Sequence, residues 1–145
     1  MRRWNALFAN IGQTNYAAAK AGIATMSIVA ARELARYGVT VNAIAPRANT
    51  RMTEGMREWT EEEIERRKPD WIAALVIWLA SPEAKDVSGR VFEAWGFGYS
   101  VIESWQHGPS MEASMDPTVI GKDVQRIVRF ARANAGINRN DWLNP

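Results

Sequence analysis

Tyr16 and Lys20 bracket the run Tyr16-Ala17-Ala18-Ala19-Lys20, and on a helix residues at i and i+4 share one face. A phenol and an ammonium can therefore stand side by side. A cation within about 4 to 6 Å of a phenol favours the phenolate, so such a pair can exchange a proton closer to neutral pH than an isolated phenol, whose pKa is roughly 10. That is the equipment for general acid–base work at an oxygen. Other chemistry is scarce. The chain has no cysteine, which excludes disulfides, thiolate metal sites and a cysteine nucleophile. Its one histidine, His107, sits in the turn-like Gln106-His107-Gly108-Pro109 without partner ligands, so no metal site is expected.

A helix must hold the pair, and a strand should end near it. Gln13-Thr14-Asn15 offers a cap, and the spacing predicts a continuous helix over residues 16–37 that Gly38 ends. Small and apolar residues nearly surround this helix, so it is expected to be buried on more than one side, against the sheet and against a second helix. Residues 39–45 are β-branched and apolar with little alternation, the pattern of a parallel strand covered on both faces, and Pro46 stops it. A loop is expected over 47–53 and an exposed, solvated helix over 54–68, with Glu61-Glu62-Glu63 supporting Arg66-Arg67.

Pro69-Asp70 opens a second core helix carrying Trp71, Ala74, Leu75, Ile77, Trp78 and Leu79, which Ser81-Pro82 breaks. Residues 87–96 read as a turn and a final strand, and 99–105 alternate as a hairpin partner. Asp116-Pro117 caps a last helix to about residue 133, and a frayed tail is expected over 134–145.

With 145 residues, 47% hydrophobic and 23% charged, the composition is that of one globular domain. Eighteen Lys and Arg against sixteen Asp and Glu leave a formal charge of +2, interleaved along the chain, so no nucleic-acid partner is expected. There is no signal-like or membrane-length apolar run, so no membrane partner is expected and the location is read as cytoplasmic. The seven tryptophans are scattered, which suits core and interface anchoring.

The run Asn15-Tyr16-Ala17-Ala18-Ala19-Lys20-Ala21-Gly22-Ile23, followed by Arg36-Tyr37-Gly38-Val39-Thr40-Val41-Asn42-Ala43-Ile44-Ala45-Pro46, resembles the C-terminal half of the short-chain dehydrogenase/reductase family. Order, spacing and flanking residues agree over residues 7–95. Residues 47–53, with Trp78-Leu79-Ala80-Ser81-Pro82-Glu83-Ala84, are similar to its hydroxyacyl-CoA dehydrogenase-like branch, and 105–133 resemble an extension of bacterial members. The resemblance implies an α/β fold: a partial Rossmann-like, doubly wound parallel sheet over 1–98, a hairpin and helical extension over 99–133, and the tail.

The resemblance also implies roles. Tyr16 is the general acid or base, and Lys20 tunes it and bonds the nicotinamide ribose of NAD or NADP. Thr50 holds the carboxamide, and the backbone of Pro46 and Ala48 lines the nicotinamide. The pattern departs from the family in several places. Arg47 follows the proline where a glycine is usual, and Arg3 stands where the family has its catalytic serine. No G-x-x-x-G-x-G turn for a pyrophosphate occurs, nor an Asn-Asn-Ala-Gly strand. A truncated oxidoreductase, inactive alone, is therefore expected, acting in an intact relative on a small carbonyl or secondary alcohol. The alternatives are a non-catalytic remnant that forms a homo-oligomer or pairs with a related family member, and a truncated frame without selected function.

Overall fold

The computed structural model describes residues 7–8, 11–49, 58–132 and 134. It divides into two compact units, residues 1–103 and residues 104–145. The first is a mixed α/β unit. Helix α1 (Thr14–Leu34) passes through a 3-10 turn (Ala35–Tyr37), after which come strand β1 (Ala43–Pro46), helices α2 (Glu61–Glu65) and α3 (Asp70–Leu79), and strands β2 (Val91–Trp95) and β3 (Gly98–Ile102). The second unit contains helix α4 (Pro117–Phe130).

β2 is the middle strand, parallel to β1 and antiparallel to β3. The expected parallel pairing of the strand after α1 with the strand near residue 90 is therefore present, with Ala43 opposite Val91 and Pro46 opposite Ala94. The hairpin partner is present too. α1 packs on β1 and α3 on β2, and the fold is a Rossmann-like fragment.

The element boundaries differ from the expectation for local reasons. α1 starts two residues earlier and tightens into the 3-10 turn, and Gly38 closes that turn at φ 72°, its N–H donating to Ala35 O at 3.0 Å. The left-handed region favours glycine there. Residues 39–42 lie outside the ladder, and apart from the Gly89 N–H that donates to Val41 O at 2.8 Å, side chains link them to residues 87–90. The Ser88 hydroxyl accepts from Val41 N at 3.0 Å, and Asn42 donates to Val87 O at 2.8 Å while accepting from Arg90 N at 3.1 Å. β1 is half-buried rather than covered on both faces.

The two apolar helices are also less covered than expected. α1 buries Ser27 and Ala31, and α3 buries Leu75, while Ile23, Met26, Val29, Val76 and Ile77 stay exposed. The core is centred on Val91, Ala94, Leu75, Ala31 and Ala84. In α2 the expected glutamates form the first turn, with a capping box in which Thr60 Oγ1 accepts from Glu63 N and Glu63 accepts from Thr60 N, each at 3.2 Å. Most of the expected tail lies outside the described residues.

Gly96 joins the β2–β3 turn to the chain after α2. Its N–H donates to Arg66 O at 2.9 Å, and an added Cβ would overlap that carbonyl and sit 2.7 Å from its carbon. Gly96→Ala is expected to destabilise the first unit by about 1 to 3 kcal/mol, the range for overpacking, as measured by denaturant unfolding. In the second unit, the Asp116 carboxylate accepts from the Thr118 hydroxyl at 2.7 Å and the Thr118 N–H at 2.8 Å, and these bonds hold it below the ordinary aspartate value of 3.8. A lowered folded pKa means that the cap stabilises α4 fully above that value and is lost as pH falls through the lower folded one. An NMR titration of Asp116 should show a midpoint below 3.8, with the helical signals of α4 weakening on the same acid limb.

Candidate functional site

Tyr16 and Lys20 lie in the first turns of α1, as the i, i+4 spacing requires. The Lys20 ammonium sits over the Tyr16 ring, 5.4 Å from its centroid, and both side chains are exposed. The Tyr16 hydroxyl makes no hydrogen bond to another described residue. Chain direction places this end of the helix. A Cβ on Gly89, just before β2, would meet the Ala31 Cβ at 3.4 Å, so the last turns of α1 lie at the start of the strands. Tyr16 is fifteen residues earlier, roughly 22 Å along a helix at ~1.5 Å per residue, while Gly89 to Trp95 spans roughly 20 Å of strand at ~3.3 Å per residue. α1 packs on β1, and a helix of that length running antiparallel to the strand would carry its Tyr16 end toward the carboxyl ends of the strands, the side on which open α/β sheets bind ligands.

Pro46 and Ala48 lie at that same end, one closing β1 and the other just beyond it. The loop that carries them is tied down twice. Arg47 N donates to Ala94 O at 2.9 Å, and Asn49 N donates to Arg67 O at 2.8 Å. Thr50, the expected carboxamide ligand, lies outside the described residues.

The sequence reading passed over the most buried polar contact in this region. Glu93, only 4% exposed in the middle strand, accepts from Arg47 Nη1 and from Ser100 Oγ of β3, each at 3.3 Å. Ser100 stands directly opposite Glu93 in the β2–β3 register. The Arg47 guanidinium also stacks on Trp95, 4.3 Å from the ring centroid. A lone carboxylate inside Val91-Phe92-Glu93-Ala94-Trp95 was the available signal, because a charge on a buried strand needs a partner. No local spacing could name Arg47, which is 46 residues away.

The reading of residues 54–68 as a solvated face also needs correction. Glu61, Glu62 and Glu65 are exposed, but Arg67 is buried and its guanidinium lies 4.2 Å from the Trp59 ring centroid. Arg66 donates from Nη1 to Gly96 O at 3.1 Å and faces the Trp71 and Phe97 rings at 5.5 and 5.7 Å. The helix ends at Glu65, so the two arginines leave its solvent face and turn toward the sheet. Among the described residues no group of three or more His, Asp or Glu could hold a metal, and no helix is long and apolar enough to cross a membrane.

The chain is similar to several known proteins. A family profile described as enoyl-(acyl carrier protein) reductase matches residues 5–96. A hydroxyacyl-CoA dehydrogenase of Mycobacterium tuberculosis is 40% identical over 119 residues, covering 74% of this chain and 36% of that protein. An acetoacetyl-CoA reductase of Synechocystis sp. is 45% identical over 96 residues, covering 60% of this chain and 40% of its own. The crystal structure of a short chain dehydrogenase from Mycobacterium avium superposes with a TM-score of 0.75 at 40% identity, covering 92% of this chain and 44% of that one. The chain thus spans between 36% and 44% of the length of these three relatives.

Because Tyr16 is 45% exposed, its hydroxyl contributes little to the fold. Tyr16→Phe and Lys20→Met are each expected to change the unfolding free energy by less than about 0.5 kcal/mol, as for exposed substitutions generally. Denaturant titration of the two variants beside the parent chain checks this.

Proposed function

The chain belongs to the short-chain dehydrogenase/reductase family, and from that premise we propose that it carries the acid–base half of an NAD(P)-dependent oxidoreductase. The observation that carries the reading is the Lys20 ammonium over the Tyr16 ring, 5.4 Å from its centroid. Tyr16 exchanges a proton at its phenolic oxygen with the oxygen of a carbonyl or secondary alcohol. Lys20 stands beside Tyr16 as the neighbouring cation. Relatives named for hydroxyacyl-CoA and acetoacetyl-CoA make a hydroxyacyl thioester the favoured alcohol.

The residues present fit only one end of the cofactor. Lys20 would bond the nicotinamide ribose, the backbone of Pro46 and Ala48 would line the ring, and Thr50 would hold the carboxamide. When bound, the nicotinamide gives or takes the hydride. These 145 residues contain no glycine-rich turn for the pyrophosphate, and such binding depends on backbone donors at a turn and a helix N-terminus. Arg3 at the serine position further removes a donor to the reacting oxygen, a loss worth around 10²- to 10³-fold in rate.

A second reading is an interaction protein without catalysis. It is favoured by the exposed apolar positions Ile23, Met26 and Val29 of α1, Met26 being 63% exposed, a surface suited to a homo-oligomer or to pairing with a related family member.

Two measurements separate the readings. Hydride transfer needs the reacting atoms aligned within about 3 to 3.5 Å, so the 145-residue polypeptide is expected to show no NAD or NADP binding by calorimetry and no turnover of a panel of secondary alcohols. Turnover abolished by Tyr16→Phe would instead mean that the phosphate cradle comes from a partner polypeptide or another segment. For the second reading, sedimentation velocity should show self-association that Met26→Glu weakens at least tenfold. A monomeric parent chain at on the order of 100 μM, where contacts of Kd near 1 mM are the weakest detectable, removes it.

A further inference from the structure

We infer that Arg47 is a positioning residue: it fixes the backbone of the loop over residues 46–49 to the middle strand, rather than offering its charge to a substrate or a phosphate. Three contacts converge on it. Its N–H donates to Ala94 O at 2.9 Å, extending the β1–β2 ladder by one step. Its guanidinium reaches the Glu93 carboxylate at 3.3 Å and lies 4.3 Å from the centroid of Trp95. Glu93 and Trp95 are two apart on one strand and so face the same way, which lets a single planar fork lie across both. Glu93 is in turn oriented from the far side by the Ser100 hydroxyl at 3.3 Å.

The burial makes this a commitment. The Arg47 and Glu93 side chains are 11% and 5% exposed. Swinging the guanidinium out to meet an anion would break a buried ion pair from one side, which is costly for the carboxylate that stays inside. Two residues on, Asn49 N is held by Arg67 O at 2.8 Å, and Arg67 is itself buried against Trp59. Ala48 is therefore suspended between two anchors. Glycine at position 47, the residue usual in the family, could make the backbone bond but neither side-chain contact. The consequence for a bound nicotinamide rests on the function proposed above, whereas the anchoring does not.

The test is amide hydrogen exchange, followed by NMR on the 145-residue chain without cofactor, so its outcome is independent of whether the chain is an oxidoreductase. The loop amides are those of residue 47 and Asn49. The reference is Gly89, whose N–H donates to Val41 O at 2.8 Å at the opposite end of the same strands. Arg47→Met and Glu93→Gln are each expected to speed exchange at the loop amides about tenfold relative to Gly89, because local opening is what the latch opposes. The double variant should be slower than the product of the two single effects, since both remove the shared Arg47–Glu93 contact. Arg47→Lys keeps the charge without the planar fork and should speed exchange about threefold; it and Glu93→Gln carry the comparison if Arg47→Met does not fold. Unchanged loop amides, equal acceleration at Gly89, additive effects in the double variant, or full retention of protection by lysine would each overturn the assignment.

Discussion

β2 is hydrogen-bonded on both sides and is the strand to which the other two are paired. Its ends and its middle each carry a separate tether. At its start, Gly89 leaves room for Ala31 and so brings in the end of α1. At its far end, Gly96 exchanges hydrogen bonds with Arg66, both backbone and side chain, and fixes the chain that leaves α2. Between them Glu93 holds Arg47. A strand packed this fully, with Ala94 completely buried, leaves little freedom to the elements tied to it, because close-packed interiors do not yield by small amounts.

The buried ion pair carries an energetic tension. An ion pair removed from water is weak evidence of stability, since desolvation offsets much of the attraction. What the Arg47–Glu93 contact supplies is directionality: the guanidinium plane, the carboxylate and the indole face admit few arrangements. The loop after β1 is thereby held by groups that belong to two other strands, Glu93 and Trp95 of β2 and, through Glu93, Ser100 of β3. An apolar residue at position 47 could fill the same space without defining where the backbone of Ala48 lies.

The Tyr16–Lys20 pair, proposed above for acid–base work, has the opposite character. Tyr16 and Lys20 are exposed and related only by helical geometry, so their juxtaposition does not depend on packing. The loop must be held by distant residues, whereas the pair needs only an intact helix. The exposed apolar residues of α1 and α3 raise a separate question of association, because Ile23, Met26, Val29, Val76 and Ile77 all present apolar surface to solvent.

The sequence by itself determined the local facts. The helix holding Tyr16 and Lys20, the stop at Gly38, the strand ending at Pro46, the hairpin at 98–102 and the cap at Asp116 all follow from periodicity, capping and turn chemistry acting over a few residues. The parallel pairing was legible as well, since a helix followed by a short connection and an apolar strand restricts the topology. Tertiary structure alone decided which charges went inside. Arg66 and Arg67 read as solvated because their neighbours in sequence are glutamates, yet the helix ends before them and delivers them to aromatic rings brought from residues 59, 71 and 97. Arg47 read as a departure from a familiar pattern, and its partner Glu93 lies 46 residues away. Contacts at that separation leave no periodic trace, because it is the register of β1 against β2 that brings the two side chains together.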